Sequence, residues 1–152
     1  MPDTAARAAA PVPATARVAT ALVAVVTLVG APLADFLVPG GAAQHLRNDA
    51  WPPHAKFHDA QYIGMSVLLG LLALALVLRR GDGARSRVWT ACAILSTPWL
   101  GLLAAGLFPG TAVQDPGFDN PTVLGLHPQV LLALVLLGAL AAAALSLVRA
   151  RR

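Results

Sequence analysis

Residues 60–108 read AQYIGMSVLLGLLALALVL (60–78), RRGDGARSR (79–87) and VWTACAILSTPWLGLLAAGLF (88–108). A helix of about 20 apolar residues crosses the hydrocarbon core of a bilayer, and both outer segments have that length. The short middle segment carries Arg79, Arg80, Arg85 and Arg87, so the two runs read as neighbouring spans joined by a basic turn. Pro98 falls in mid-span, where a kink is expected and is tolerated if neighbouring helices satisfy the carbonyl it frees.

The same pattern extends in both directions. A first apolar run goes from Arg17 to about Val38 and is expected to end at Pro39-Gly40-Gly41. Pro32 directly after the small-residue triplet Val29-Gly30-Ala31 disfavours signal cleavage, so this run is read as a retained span. A fourth begins at His127-Pro128 and continues to Val148, after which Arg149, Arg151 and Arg152 stop it at the headgroups. Residues 1–16, rich in alanine and proline without an apolar face, are expected to be a disordered cytoplasmic tail.

Composition agrees, since the 152 residues are 57% apolar and only 12% charged, too little polar surface to cover a water-soluble core of this kind. The expected architecture is all-α: a polytopic membrane protein with a four-helix transmembrane bundle over residues 17–152, with spans near 17–38, 60–78, 88–108 and 127–148. Gly70, Gly101, Gly106, Gly125, Gly138 and the run Ala141–Ala144 would let helices approach closely, and offer faces for a homo-oligomer.

Basic residues near short loops are retained on the cytoplasmic side. Arg7, Arg17, Arg79, Arg80, Arg85, Arg87, Arg149, Arg151 and Arg152 fall on one side of the four-span frame, and only Arg47 and Lys56 on the other. Both termini are therefore expected in the cytoplasm, with the chain a multi-pass protein of the cell membrane. A net charge of +4 carried by arginines that flank apolar runs reads as topology signal and lipid contact, not nucleic-acid binding. The single cysteine, Cys92, has no partner for a disulfide or a thiol redox pair.

Once the frame is oriented, its polar residues separate by side. All four histidines (His45, His54, His58 and His127) lie at the external end, as do Gln44, Asn48, Gln61, Gln114, Asn120, Gln129 and five of the seven aspartates. Chemistry is expected at that mouth. In WPPHAKFHDAQY (51–62), Pro52-Pro53 starts a helix that places His54 and His58 four residues apart on one face, a spacing at which two imidazoles can share a divalent metal. His127, at the head of span four, is the candidate third ligand. Without a following glutamate the pair is not a zincin signature.

Asp35, His58 and Asp59 are the candidates for acid-base work, and Trp51, Gln61, Tyr62 and Trp99 for contact with a small or lipid-like ligand. The competing reading of each is structural: interfacial histidines bonded to loop backbone, aspartates capping helices, and Trp99 as packing in mid-span. A carboxylate at the end of a span needs water or a partner, and a nearby histidine or Arg47 would serve Asp35. The turn-rich segment FPGTAVQDPGFDNP (108–121) is a candidate cap over the mouth.

HLRNDAWPPHAKFH (45–58), in a short chain of four apolar runs, resembles a family of uncharacterised bacterial and fungal membrane proteins carrying a W-P-P-H-A-[KR]-F-H signature before their second span. The resemblance touches Trp51, Pro52, Pro53, His54, Ala55, Lys56, Phe57 and His58. It implies a four-span fold and a focal region, but no reaction.

The reading that follows is a membrane bundle with a His/Asp-rich extracytoplasmic site that binds or transforms a small or lipid-like ligand, with or without a divalent metal. Membrane lipids are its expected surroundings. The alternative is a non-enzymatic scaffold or partner subunit in which WPPHAKFH is a structural cap. A transporter is a weaker third reading, because the span centres offer only Ser, Thr and Trp side chains.

Overall fold

The computed structural model describes residues 11–150, so residues 1–10 of the expected 1–16 tail, with Arg7, and Arg151 and Arg152 lie outside the described residues, while Ala14–Ala16 of that tail belong to the first helix. The chain is helical: α1 (Ala14–Pro32) runs into a π-helical turn (Leu33–Leu37), followed by a short α2 (Pro39–Gln44), then α3 (Pro53–Leu78), α4 (Ala84–Ala105) and α5 (Pro128–Arg149). α1 together with its π-turn, α3, α4 and α5 are the four helices long and apolar enough to cross a membrane. No strand is present among the described residues, and a tight turn at Leu124-Gly125, both with positive φ, joins Val123 to Leu126.

The helix boundaries follow from backbone chemistry. α1 starts at Ala14, three residues before the expected Arg17. The first span ends where expected, at Val38, whose extended backbone before Pro39 turns the chain; the difference is that Pro39 then starts the short α2. Proline suits the first helical position, because its missing N–H would have had no partner there and its φ is already helical. Pro53 and Pro128 open α3 and α5 in the same way.

In α4 the helix continues through Pro98. The Ile94 carbonyl, which Pro98 cannot serve, accepts the Thr97 hydroxyl at 2.7 Å, so the repair comes from the adjacent residue and not from a neighbouring helix.

The four long helices pack as a ring, α1 to α3 to α4 to α5 and back to α1, with α1 also touching α4 across the centre. The interior consists mainly of small and branched residues, among them Ala16, Ala24, Ala73, Ala91, Ala133 and Ala143 with Val23, Val77, Val88, Leu95 and Leu147. Leucines and valines such as Leu22, Val25, Leu68, Leu72, Leu134 and Val135 point outward, as they should when the surroundings are lipid.

The few polar groups inside bond to one another. Trp99 Nε1 donates to Thr27 Oγ1 at 3.0 Å, and the Thr20 hydroxyl donates to the Ala16 carbonyl at 2.7 Å and lies 3.4 Å from Cys92 Sγ.

Of the small residues singled out in the sequence, Gly70 is the one that sets a crossing. A Cβ built there would lie 2.7 Å from Leu28 Cβ and 2.8 Å from its Cα and backbone nitrogen, so α1 and α3 meet backbone to backbone. Gly101, Gly125 and Gly138 have open space where a Cβ would go, and Gly106 meets only the Leu103 carbonyl at 3.6 Å.

Replacing Gly70 with alanine must push α1 from α3, a cost of about 1–3 kcal/mol that outweighs the gain in helix propensity of about 1 kcal/mol. Gly138→Ala has the gain without the clash. Thermal unfolding in detergent is expected to show a lowered midpoint for Gly70→Ala and an unchanged or raised one for Gly138→Ala.

Candidate functional site

The end of the bundle opposite the arginine-rich turn holds the C-terminal end of α1, α2, the start of α3, the end of α4 and the start of α5. The π-turn puts one extra residue into the last turn of the first span, closed by the Val38 N–H donating to the Leu33 carbonyl at 2.9 Å. Asp35 sits within it and is only 4% exposed.

A buried carboxylate at this position requires a partner, and the chain supplies one by reversing at Val38. α2 leads back to His45, whose Nδ1 is hydrogen-bonded to Asp35 Oδ1. Arg47, the other partner considered, donates instead to the Phe36 carbonyl at 3.3 Å.

Asp59, from the second turn of α3, completes the group. One ligand atom from each of Asp35, His45 and Asp59 lies within 4.8 Å of the others, and this is the one such group of three among the described residues. Asp59 Oδ2 is shielded from solvent and has no hydrogen-bond partner. The Asp35 carboxylate bonded to His45 holds the imidazole above its ordinary pKa, against the opposing effect of partial burial, with the negative charges of Asp59 and Asp115 adding to the rise.

Two carboxylates and an imidazole are a mixed oxygen and nitrogen donor set suited to a divalent ion such as zinc, iron or manganese, with positions left for water or a ligand. The uncompensated oxygen of Asp59 and the crowding of two acids around one histidine fit a cation at this point.

The remaining histidines form separate groups. His54 and His58 face each other across one turn of α3 with their Nε2 atoms 3.1 Å apart, and His58 Nδ1 is 3.2 Å from Gln61 Oε1. All three side chains are exposed. His127 does not complete that pair. It is the N-cap of α5, accepting the Gln129 N–H at 3.4 Å through Nδ1, and its Nε2 is 3.3 Å from the Asn120 side-chain amide.

Asn120 and Gln44 bind each other in a cyclic amide pair, at 2.8 and 2.9 Å. Trp51 lies beside His45, with ring centroids 5.3 Å apart, and donates to Asp115 Oδ2 at 2.8 Å. Through these contacts the segment after α4 is tied to α2 and to the turn before α3.

Below the mouth, a groove of about 430 Å³ runs between α3 and α4. Tyr62 heads it, one turn along α3 from Asp59. Met65, Ser66 and Leu69 continue the same wall, facing Thr97, Pro98 and Leu102, and Gln129 borders it from α5. Of the four residues expected to touch a ligand, Tyr62 lines this groove, Trp51 borders the His/Asp group and Gln61 is on the exposed side with His58. Trp99 is buried in the core against Thr27 and does not line it.

His45 was absent from the candidates drawn from sequence. The expectation that a nearby histidine serves Asp35 points to it without naming it, since His45 is the first histidine after that acid.

No curated protein and no solved structure matches the chain. The model of one family does, over residues 19–152, the greater part of the chain and all four spans from Ala19 onward. On that match the chain belongs to the Family of unknown function (DUF6640).

Proposed function

We propose that the group formed by Asp35, His45 and Asp59 holds a divalent metal at the extracytoplasmic mouth of the bundle, where it binds the polar head of a small or lipid-like amphiphile. The observation that carries this reading is the convergence of the three side chains on one point, with an unpartnered carboxylate oxygen on Asp59.

The groove beginning at Tyr62 supports the amphiphilic character of the ligand. Its α3 wall from Tyr62 to Leu69 covers about 10 Å of helix, room for part of a hydrocarbon chain. The outward orientation is supported by the arginine asymmetry of the sequence, the pattern expected when both termini are cytoplasmic. Bound there, the metal would polarise the head group, with Asp35, His45 and Asp59 holding it in place.

The scaffold reading keeps one observation in its favour. Trp51 is held by Asp115, and His54 and His58 are turned to the exposed side, so much of WPPHAKFH acts as a clasp for the loops. The two readings part at the metal.

Metal analysis of protein purified in mild detergent is expected to give one divalent ion per chain, lost in Asp59→Asn and His45→Gln and retained in the His54→Ala/His58→Ala variant. Equal content in all four proteins would refute the site. Gly101→Leu, which fills the groove from an open position on α4, should leave the metal in place and reduce co-purifying amphiphile.

Protonation gives a second test. His45 has a folded-state pKa above its unfolded value near 6.5, so in chelator-treated protein the Asp35–His45 pair contributes fully below that value. Its contribution is lost as pH rises through the raised folded pKa. The unfolding midpoint of the metal-free protein should therefore fall as pH increases above about 6.5, and His45→Gln should flatten that slope. Metal must displace the same proton, so the stabilisation produced by added metal should grow over the same pH interval.

A further inference from the structure

At the arginine-rich end, remote from the His/Asp group, two neighbouring arginines are bound in different ways. Arg87 is bound to backbone through both terminal nitrogens, leaving only its shielded Nε without a partner: its Nη1 donates to the Asp82 carbonyl at 2.6 Å, and its Nη2 lies 3.1–3.3 Å from the carbonyls of Arg79, Arg80 and Gly81. It closes the turn between α3 and α4. Arg85 makes a single bond, from Nη2 to the Leu147 carbonyl near the end of α5.

Arg85 Nε and Nη1 are shielded from solvent and have no partner among the described residues. A guanidinium cannot shed its charge and has five N–H donors in a fixed plane, so those free donors call for an anion. Beside them is an open cleft of about 590 Å³ lined by Gly83, Arg85, Ser86, Trp89 and Val148. Its lining contains no carboxylate, and Asp82 is the one acid at this end among the described residues, against Arg17, Arg79, Arg80, Arg85, Arg87 and Arg149.

We propose that this cleft is a binding site for an anionic phospholipid. The phosphodiester accepts from the guanidinium nitrogens that Leu147 leaves free, which turn from their shielded position toward the cleft as it enters, and from the Ser86 hydroxyl, while the glyceride backbone and upper chain lie on the Trp89 ring and Val148. Three features favour a lipid over a free anion. The cleft is at the ends of two spanning helices, where headgroups lie; most of its wall is hydrocarbon; and Trp89 is an amphipathic ring at interfacial depth. The site is independent of the metal reading at the other end.

The test uses delipidated protein in mild detergent, with native mass spectrometry and unfolding temperature as readouts. Phosphatidylglycerol is expected to give a one-to-one adduct and a raised unfolding temperature, and phosphatidylcholine neither. Arg85→Gln should weaken phosphatidylglycerol binding about tenfold or more, and Arg80→Gln, which removes the same charge from an exposed position, about twofold or less.

Ser86→Glu places a carboxylate against Arg85 from an exposed position without touching the core, and should abolish the adduct even if Arg85→Gln does not fold. Equal binding of the two lipids, or a phosphatidylglycerol adduct undiminished in Ser86→Glu, would overturn the proposal. Displacement of the lipid by inorganic phosphate would show a free-anion site and would overturn it as well.

Discussion

A peptide group in hydrocarbon has no water to bond, and everything in this protein follows from that lack. Four long helices satisfy their own backbones through the middle of the bundle, and the difficulty moves to their ends, where the last carbonyls and first amides have no intrahelical partner. Arginine answers it at one end. Arg17 donates to the Val77 carbonyl at the end of α3, Arg85 to the Leu147 carbonyl near the end of α5, and Arg87 to the carbonyls of the turn between α3 and α4. Residues that read as orientation signals in the sequence thus also serve as caps, since positive charge suits a helix C-terminus.

The other end solves the same problem with neutral and acidic groups. Prolines occupy first helical positions in α2, α3 and α5, where no amide is missed, and His127 accepts an amide of α5. Amide side chains bond one another across the loops. What this end adds is a buried carboxylate, which no helix terminus requires. Asp35 is shielded almost completely and is matched by one histidine, with a second acid nearby whose oxygen has no partner. Protonated His45 offsets the charge of Asp35, and the unpartnered oxygen of Asp59 is the part of this arrangement that no contact in the bundle satisfies.

The spans were legible because their signal is length and composition, which hydrocarbon thickness dictates directly. Their ends were less so. Pro39-Gly40-Gly41 is equally a stop for one helix and a start for another, and the extended backbone at Val38 makes it both. Gly70 could not be told from Gly101 or Gly138 by type, since the difference is which side of α3 meets Leu28.

At the mouth, the spacing of His54 and His58 drew notice because helical periodicity is local and visible in the string. Asp35 and Asp59 were visible as acids near apolar runs. His45 joins them through a chain reversal and a change of helix type, for which the sequence holds no periodic signal.

That change of helix type ties the site to the counting of residues and not to their chemistry. Each residue advances an α-helix by about 100°, and the turn at Leu33–Leu37 accommodates one more than an α-turn would. Through most of the first span, apolar residues can exchange with little consequence beyond packing. Between Pro32 and Val38, loss of a single codon would swing the segment that carries Asp35 away from α2 and α3 while leaving the hydropathy of the span intact. The acid would still be there and the bundle would still cross the membrane, yet the mouth would be empty of its centre.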